Sequence, residues 1–242
     1  MKKILFALMC LFMFSSVVYG AGSSFTVISD KEYPGGERRI ITCLAVADDS
    51  DGSIPELTLK NSTTGIGKSL VGWTFFRVTT FGDHAVTHDG TANATALSDG
   101  SGGFNLLEQK ATNGTVSNTG LVGYTLTNTT DSSSGTITTN TDSTITATLS
   151  GGTDDDWDVG DVGLWGVEPT TNSEIYIFMN GVDILGGNGV NAVDNDANNS
   201  IPAYVNSLPA AITITNDLVI NITQQAAATN SAIIPIQIEL YR

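Results

Sequence analysis

The densest group of chemically competent side chains is a run of acids, with five carboxylates in the eight positions from Asp154 to Asp161. Carboxylate oxygens are the ligands that hard cations such as calcium prefer, at about 2.3–2.6 Å. The run lies on a glycine-flanked turn, but its spacing is not the D-x-D-x-D-G of an EF-hand loop. We therefore favour a solvated turn whose acids accept backbone N–H groups, with calcium binding as the alternative. The candidate calcium ligands are Asp154, Asp156, Asp158 and Asp161, and no other cofactor is predicted.

The two histidines of the chain are His84 and His88. On a helix, this spacing would place both rings on one face, where they could hold zinc. Gly82 and the β-branched Val86 and Thr87 disfavour a helix, and the glutamate of the H-E-x-x-H motif is missing. On a strand, the two rings would stand about 13 Å apart, which is too far for one ion. The sequence therefore does not predict a zinc site.

The patterns that mark hydrolases are weak in this chain. A nucleophilic serine of the α/β-hydrolase type needs a strained G-x-S-x-G turn, and the sequence does not contain one. Glycoside hydrolysis needs two carboxyl groups that face each other across the scissile bond, and no spacing singles out such a pair. We predict that the protein is not an enzyme; a glycan-cleaving enzyme is the least supported function.

The charge balance excludes two classes of partner. Ten Lys and Arg stand against 25 Asp and Glu, for a net charge of -15. Affinity for nucleic acid comes from Lys and Arg bound to phosphates, and anionic membranes attract the same side chains. We therefore predict no nucleic-acid partner and no electrostatic docking to a membrane. The acidic surface is typical of a soluble, self-repelling protein.

The N-terminal residues predict export. Lys2 and Lys3 precede a largely apolar run, and small residues follow it at Tyr19-Gly20-Ala21. This order is the signature of a signal peptide over residues 1–20, with cleavage after Gly20. The apolar run is shorter than the roughly 20 residues that a membrane span needs. We therefore expect an extracellular or virion-surface protein with no stable membrane anchor in the mature chain. The alternative is an N-terminal core element.

The elements that must position these residues are short strands. Apolar or alternating runs recur along the chain between clusters of Gly, Asn, Asp and Ser, which predicts an all-β sandwich of jelly-roll or immunoglobulin-like type. A Thr-, Ser-, Asn- and Gly-rich middle section indicates an inserted β-module at residues 98–167, within a host domain formed by residues 22–97 and 168–242. The alternative is one continuous sheet protein with a Thr-rich middle.

Two stretches of the middle section resemble the sequence of a known protein module. Residues 121–131 read LVGYTLTNTTD, and residues 149–161 read LSGGTDDDWDVGD. Together with the intervening SSSGTIT, they resemble a small β-module of bacteriophage tail, fibre and other virion proteins. Residues 51–55, 72–78 and 182–189 also resemble phage structural proteins. The resemblance implies a structural role in a virion.

Two functional classes therefore remain open. The first is a non-enzymatic structural or surface protein, such as a tail, fibre or decoration component of a phage, which forms a homo-oligomer or binds other virion or surface proteins. Virion proteins assemble in the cytoplasm, where a signal peptide is not expected. The alternative is therefore a secreted bacterial surface protein that binds glycans, with calcium as its cofactor. Buried Trp73 and Trp157 would favour the scaffold, whereas exposed aromatic side chains in a groove would favour glycan binding. Whether Trp165 and Tyr204 are buried or exposed bears on the same choice.

Overall fold

The chain is all-β, as the sequence predicts. A computed structural model describes residues 22–60, 63, 65–101, 109–110, 116–117, 121–206, 208–223 and 231–242, so the predicted signal peptide at residues 1–20 lies outside the described residues. None of the described residues forms a helix with the length and apolar character needed to cross a bilayer.

Twenty strands are present in the described part of the chain. The first ten are β1 (Ser24–Glu32), β2 (Arg38–Val46), β3 (Leu57–Leu59), β4 (Thr74–Phe81), β5 (Ala85–Thr87), β6 (Ala96–Ser98), β7 (Gln109–Lys110), β8 (Val116–Ser117), β9 (Thr125–Asn128) and β10 (Ser133–Asn140). The others are β11 (Thr144–Ala147), β12 (Val162–Trp165), β13 (Glu174–Met179), β14 (Val182–Asp183), β15 (Asn198–Pro202), β16 (Tyr204–Val205), β17 (Leu208–Pro209), β18 (Ile212–Thr213), β19 (Leu218–Thr223) and β20 (Ile233–Tyr241).

Two antiparallel sheets form a sandwich. The main sheet has the order β1-β2-β20-β4, and both β15 and β18 pair with β4 at its far edge. The facing sheet has the order β14-β13-β19-β3. Their inner faces supply one hydrophobic core, to which Ile41 of β2, Ile236 of β20, Ile175 of β13 and Ile220 of β19 all contribute. Alternate residues of β13 and β19 are buried, as expected when one face of a sheet covers a core.

Cys43 of β2 is buried in this core as a free thiol. Burial raises the pKa of the thiol, with a smaller contribution from the negative charge of Asp30, so the sulfur stays protonated. The side chain therefore packs as a small hydrophobic residue, which is the role that its place in an apolar strand predicts.

A third sheet, which we call the module sheet, has its own core. Its order is β5-β12-β9-β10-β11-β6, and its buried side chains include Leu97, Leu126 and Trp157. The module rests on the outer face of the main sheet, because Ile233 of β20 belongs to the module core and Leu44 of β2 packs against it.

The sheet includes β5, which precedes the boundary at residue 98 that the sequence suggests, and β6, which crosses that boundary. We propose that the inserted unit spans residues 84–167. Its two ends lie together, since the backbone N–H of His84 donates to Oε1 of Glu168 at 3.1 Å. Adjacent ends are what an insertion at a loop tip requires.

Replacing residues 84–167 with a short Gly-Ser linker is expected to leave a host domain that unfolds cooperatively. Every member of the sandwich core lies outside that segment. The host should lose about 1.5–3 kcal/mol, because the deletion exposes Ile233. Denaturant unfolding followed by circular dichroism measures both quantities. A matched deletion of residues 98–167 leaves β5 and β6 without their sheet and should be less soluble. Loss of cooperative unfolding in the 84–167 deletion would show that host and module fold as one unit.

Candidate functional site

The acidic run forms a loop that docks on the turn between β9 and β10. The N–H of Thr153 donates to the carbonyl of Asp131 at 3.2 Å, and the N–H of Asp155 donates to Oδ2 of Asp131 at 3.2 Å. Gly152 permits this approach, because a Cβ there would lie 2.6 Å from Cβ of Ser133. Asp155 adopts a left-handed backbone with φ of 58°, a conformation that Asp tolerates better than most residues. Local turn chemistry therefore shapes the loop.

Trp157 anchors the loop to the module core. Its side chain is fully buried, and its backbone exchanges two hydrogen bonds with Ala94, each of 3.0 Å. Gly163 of β12 lies against the indole, so that a Cβ at that position would come within 3.0 Å of the ring. The single large side chain of the run thus points inward while its acidic neighbours face solvent.

Three of the four candidate ligands come together. One carboxylate oxygen from each of Asp154, Asp156 and Asp158 lies within 4.8 Å of the others. Asp154 is exposed, and Asp156 and Asp158 are half-buried. This is the only such group of metal-ligating side chains in the described part of the chain. A hard cation could bind there.

Asp161 is not part of this group. It is largely buried, and its Oδ2 accepts hydrogen bonds from Nδ2 of Asn128 at 2.8 Å and from the N–H of Asp158 at 2.9 Å. Asn128 is itself buried and also donates to the carbonyl of Asp156 at 3.0 Å. Asp161 and Asn128 therefore hold the base of the loop, and the sequence offers no local signal for Asn128.

The electrostatics of the loop are repulsive. The pKa of Asp154 is raised, first by its hydrogen bond to the carboxyl of Asp131 and then by burial and the neighbouring negative charges. The pKa of Asp156 is raised by burial and by the charges of Asp158 and Asp131. Both shifts mean that the loop would gain from a nearby positive charge.

The two histidines occupy separate places. His84 is fully buried and stacks on Trp165 with a centroid separation of 3.7 Å. His88 is buried beside Ser98, whose N–H donates to Nδ1 at 3.0 Å, and its Nε2 lies 3.1 Å from the carbonyl of Thr91. Neither belongs to a metal-ligating group among the described residues.

All three tryptophans are buried. Trp73 and Trp157 are fully covered and Trp165 is 8% exposed, whereas Tyr204 is half-buried. A groove of about 590 Å³ lies at the junction of host and module, lined by Leu164, Gly166, Val167, Glu168, Pro169, Thr170, Thr171 and Asn195. None of these lining residues is aromatic, so the groove lacks the stacking surface that sugar rings prefer.

No protein-family model matches the chain, and no curated protein matches it.

Proposed function

We propose that this protein is a non-enzymatic structural component of an extracellular assembly, such as a virion or a surface appendage. The observation that carries the proposal is the burial of all three tryptophans, which serve the two cores rather than a binding surface. An all-β sandwich with a separate module core is a suitable scaffold for this role. The resemblance of residues 121–131 and 149–161 to a phage virion module favours a tail, fibre or decoration component.

The second candidate is a secreted surface protein that binds glycans with the help of calcium. The clustered oxygens of Asp154, Asp156 and Asp158 favour this reading. The buried tryptophans and the non-aromatic groove weigh against it. We therefore rank it second.

The native location of the protein tests the proposal. Density-gradient fractions of a culture that expresses the natural gene should contain the chain in sedimenting particles, and mass spectrometry should find its first residue at Ala21. A chain that starts at Met1 but is present in particles supports a virion protein without export. A processed chain found only in the soluble medium favours the secreted alternative. An intact chain confined to the cytosol would contradict both.

We expect calcium to leave the melting temperature unchanged. Oδ1 of Asp158 already accepts the N–H of Asn93 at 3.0 Å, and Oδ2 of Asp161 is bonded within the loop. Melting curves in chelator and in millimolar calcium measure the effect. A true site would add about 2.7 kcal/mol when free ion is a hundredfold above its dissociation constant. A rise of several degrees that disappears in the Asp154→Asn/Asp156→Asn variant would establish the calcium-dependent alternative.

A further inference from the structure

The outer face of the main sheet carries a group of arginines joined through one glutamate. Glu239 of β20 lies opposite Arg77 of β4 in the strand register and beside Arg38 of β2. Nε of Arg38 donates to its Oε1 at 2.6 Å, and Nε of Arg77 donates to its Oε2 at 2.5 Å. The side chains of Arg38 and Arg77 remain 40% and 42% exposed. The glutamate therefore fixes two positive groups at the surface.

Aromatic rings surround these arginines. Tyr33 and Phe76 are 41% and 42% exposed, and the guanidinium carbons of Arg38 and Arg77 lie 5.0 and 5.5 Å from their respective ring centroids. Phe76 turns outward because it is the extra residue of a β-bulge against β20, and its ring meets that of Tyr241 edge-on at 5.2 Å. We call Tyr33, Arg38, Phe76, Arg77 and Tyr241 the arginine–aromatic patch.

The residue types of this patch, and the contacts that hold its side chains in place, are typical of a protein–protein interface. Arg, Tyr and Phe are enriched at the centres of protein interfaces, and Arg and Tyr are frequent hot spots. Here the ion pairs and ring contacts already hold the side chains in place, which lowers the entropy lost on binding. The patch is also positive in a strongly acidic chain, because Arg38 and Arg77 outnumber Glu239.

The module carries a surface whose charge is opposite to that of the arginine–aromatic patch. The acidic loop at residues 153–160 exposes Asp154 and Asp155, with Asp156 and Asp158 half-buried, beside Val159 at 66% exposure. Arginine pairs well with carboxylates through charge-assisted hydrogen bonds, and Val159 offers an apolar contact for an aromatic ring. A positive partner would also relieve the repulsion between the carboxylates of the loop.

These two surfaces lie too far apart to meet within one molecule. The module contacts β20 at Ile233, whereas the patch lies at Tyr241, eight residues and about 27 Å farther along the strand. The acidic loop precedes β12 at Val162, whereas Ile233 lies against Gly166 just beyond the opposite end of β12, where a Cβ would come within 2.6 Å of its Cδ1. The loop therefore lies on the side of the module away from the sandwich.

We propose that the arginine–aromatic patch of one copy binds the acidic loop of a second copy, so that molecules join head to tail. Such a contact uses two different surfaces, and it extends into a filament or closes into a ring. The inference rests on the proposed structural function, for which it names the partner as another copy of this chain.

Sedimentation velocity over a concentration series up to about 200 µM tests the contact in the full chain. We expect the wild type to form oligomers that grow with concentration and weaken in high salt, because salt screens surface charges. The Asp154→Asn/Asp156→Asn variant should bind at least about tenfold more weakly without a lower melting temperature, since it also removes repulsion. Asp49→Asn/Asp142→Asn, which removes two exposed charges elsewhere, is the matched control and should associate like the wild type.

Variants of the patch must not leave the buried carboxylate of Glu239 without its arginine partners. Arg38→Gln/Arg77→Gln/Glu239→Gln removes both arginines together with the buried acid, and Tyr33→Ser/Phe76→Ser removes the rings while keeping the ion pairs. Each should weaken association at least about tenfold. A patch variant mixed with the loop variant should form a dimer and nothing larger, because each supplies the surface that the other lacks.

Three results would overturn the inference. They are a wild type that stays monomeric throughout, oligomers that survive in the loop or patch variants, and mixed variants that do not pair. None of these results decides whether the protein is found in extracellular particles, so the location experiment still judges the proposed function separately.

Discussion

Replacing Trp157 by alanine is expected to lower the free energy of unfolding of the module by about 3–5 kcal/mol. The indole is fully buried among the side chains of the module core, and Gly163 lies against it with no room for a Cβ. Alanine would leave a cavity that the rigid β-sheet cannot close. Denaturant unfolding measures the loss, followed by circular dichroism or by the fluorescence of the two remaining tryptophans.

Val159 supplies the matched control for this change. It lies two residues away in the same loop but is 66% exposed, so Val159→Ala should alter stability by no more than about 0.5 kcal/mol. If Trp157→Ala proved equally mild, the loop would not be anchored by its indole. The acidic loop would then lack the fixed geometry on which its proposed binding role depends.

Lowering the pH from about 6.5 to about 4 is expected to cost about 3 kcal/mol of stability through His84 alone. The ring is fully buried on Trp165, and neither nitrogen has a hydrogen-bond partner among the described residues. Burial lowers its pKa from 6.5 to about 4, against the opposing effect of backbone groups and of Asp83. Because the folded pKa is depressed, the unfolded chain binds the proton more tightly. The stability is therefore complete above pH 6.5 and is lost as the pH falls towards 4.

His84→Phe isolates this contribution, because phenylalanine keeps the stacked ring but takes up no proton. The difference in unfolding free energy between wild type and variant, measured from pH 7 to pH 4, should shift by about 3 kcal/mol in favour of the variant. Glu168 accepts the backbone N–H of His84, and its own pKa is raised by burial, so Glu168→Gln is the control. Because the pKa of Glu168 is raised, its protonation favours the folded state as the pH falls, so Glu168→Gln should not remove the loss of stability in acid. If His84→Phe kept that loss, the histidine would not be its source.

This pH dependence has a structural location. His84 follows the end of β4 in the sandwich, and Trp165 ends β12 in the module. The stacked pair therefore belongs to the junction at which the module joins the host, beside Ile233 of the shared contact. Acid should loosen this junction before it affects the sandwich core, whose members are apolar. A pH-dependent change in module orientation would alter the spacing of any head-to-tail assembly.

The candidate site could be predicted from sequence only where its geometry is local. Asp154, Asp156 and Asp158 are close in the chain, and a short turn brings their carboxylates together whatever the rest of the fold does. Asp161 has the same local density of acids, yet a hydrogen bond from Asn128, 33 residues earlier, turns it into the base of the loop. Spacing along a chain does not show which carboxylate will accept a hydrogen bond from a buried amide that is distant in sequence.

The sequence alone determined the all-β class and the net negative charge. Alternation of apolar and polar residues between turn-forming clusters is a local property, and it specifies strands without knowledge of their partners. Net charge depends on composition alone.

Only the tertiary structure decided which strands pair and which surfaces result. It placed β5 and β6 in the module sheet, stacked His84 on Trp165, and joined Arg38 and Arg77 to Glu239 across 201 and 162 residues of chain. Short strands with similar patterns can pair in many ways, and the choice between them is made by burial and packing of the whole chain. For that reason the arginine–aromatic patch has no signature in the sequence, although it is the surface on which the proposed assembly depends.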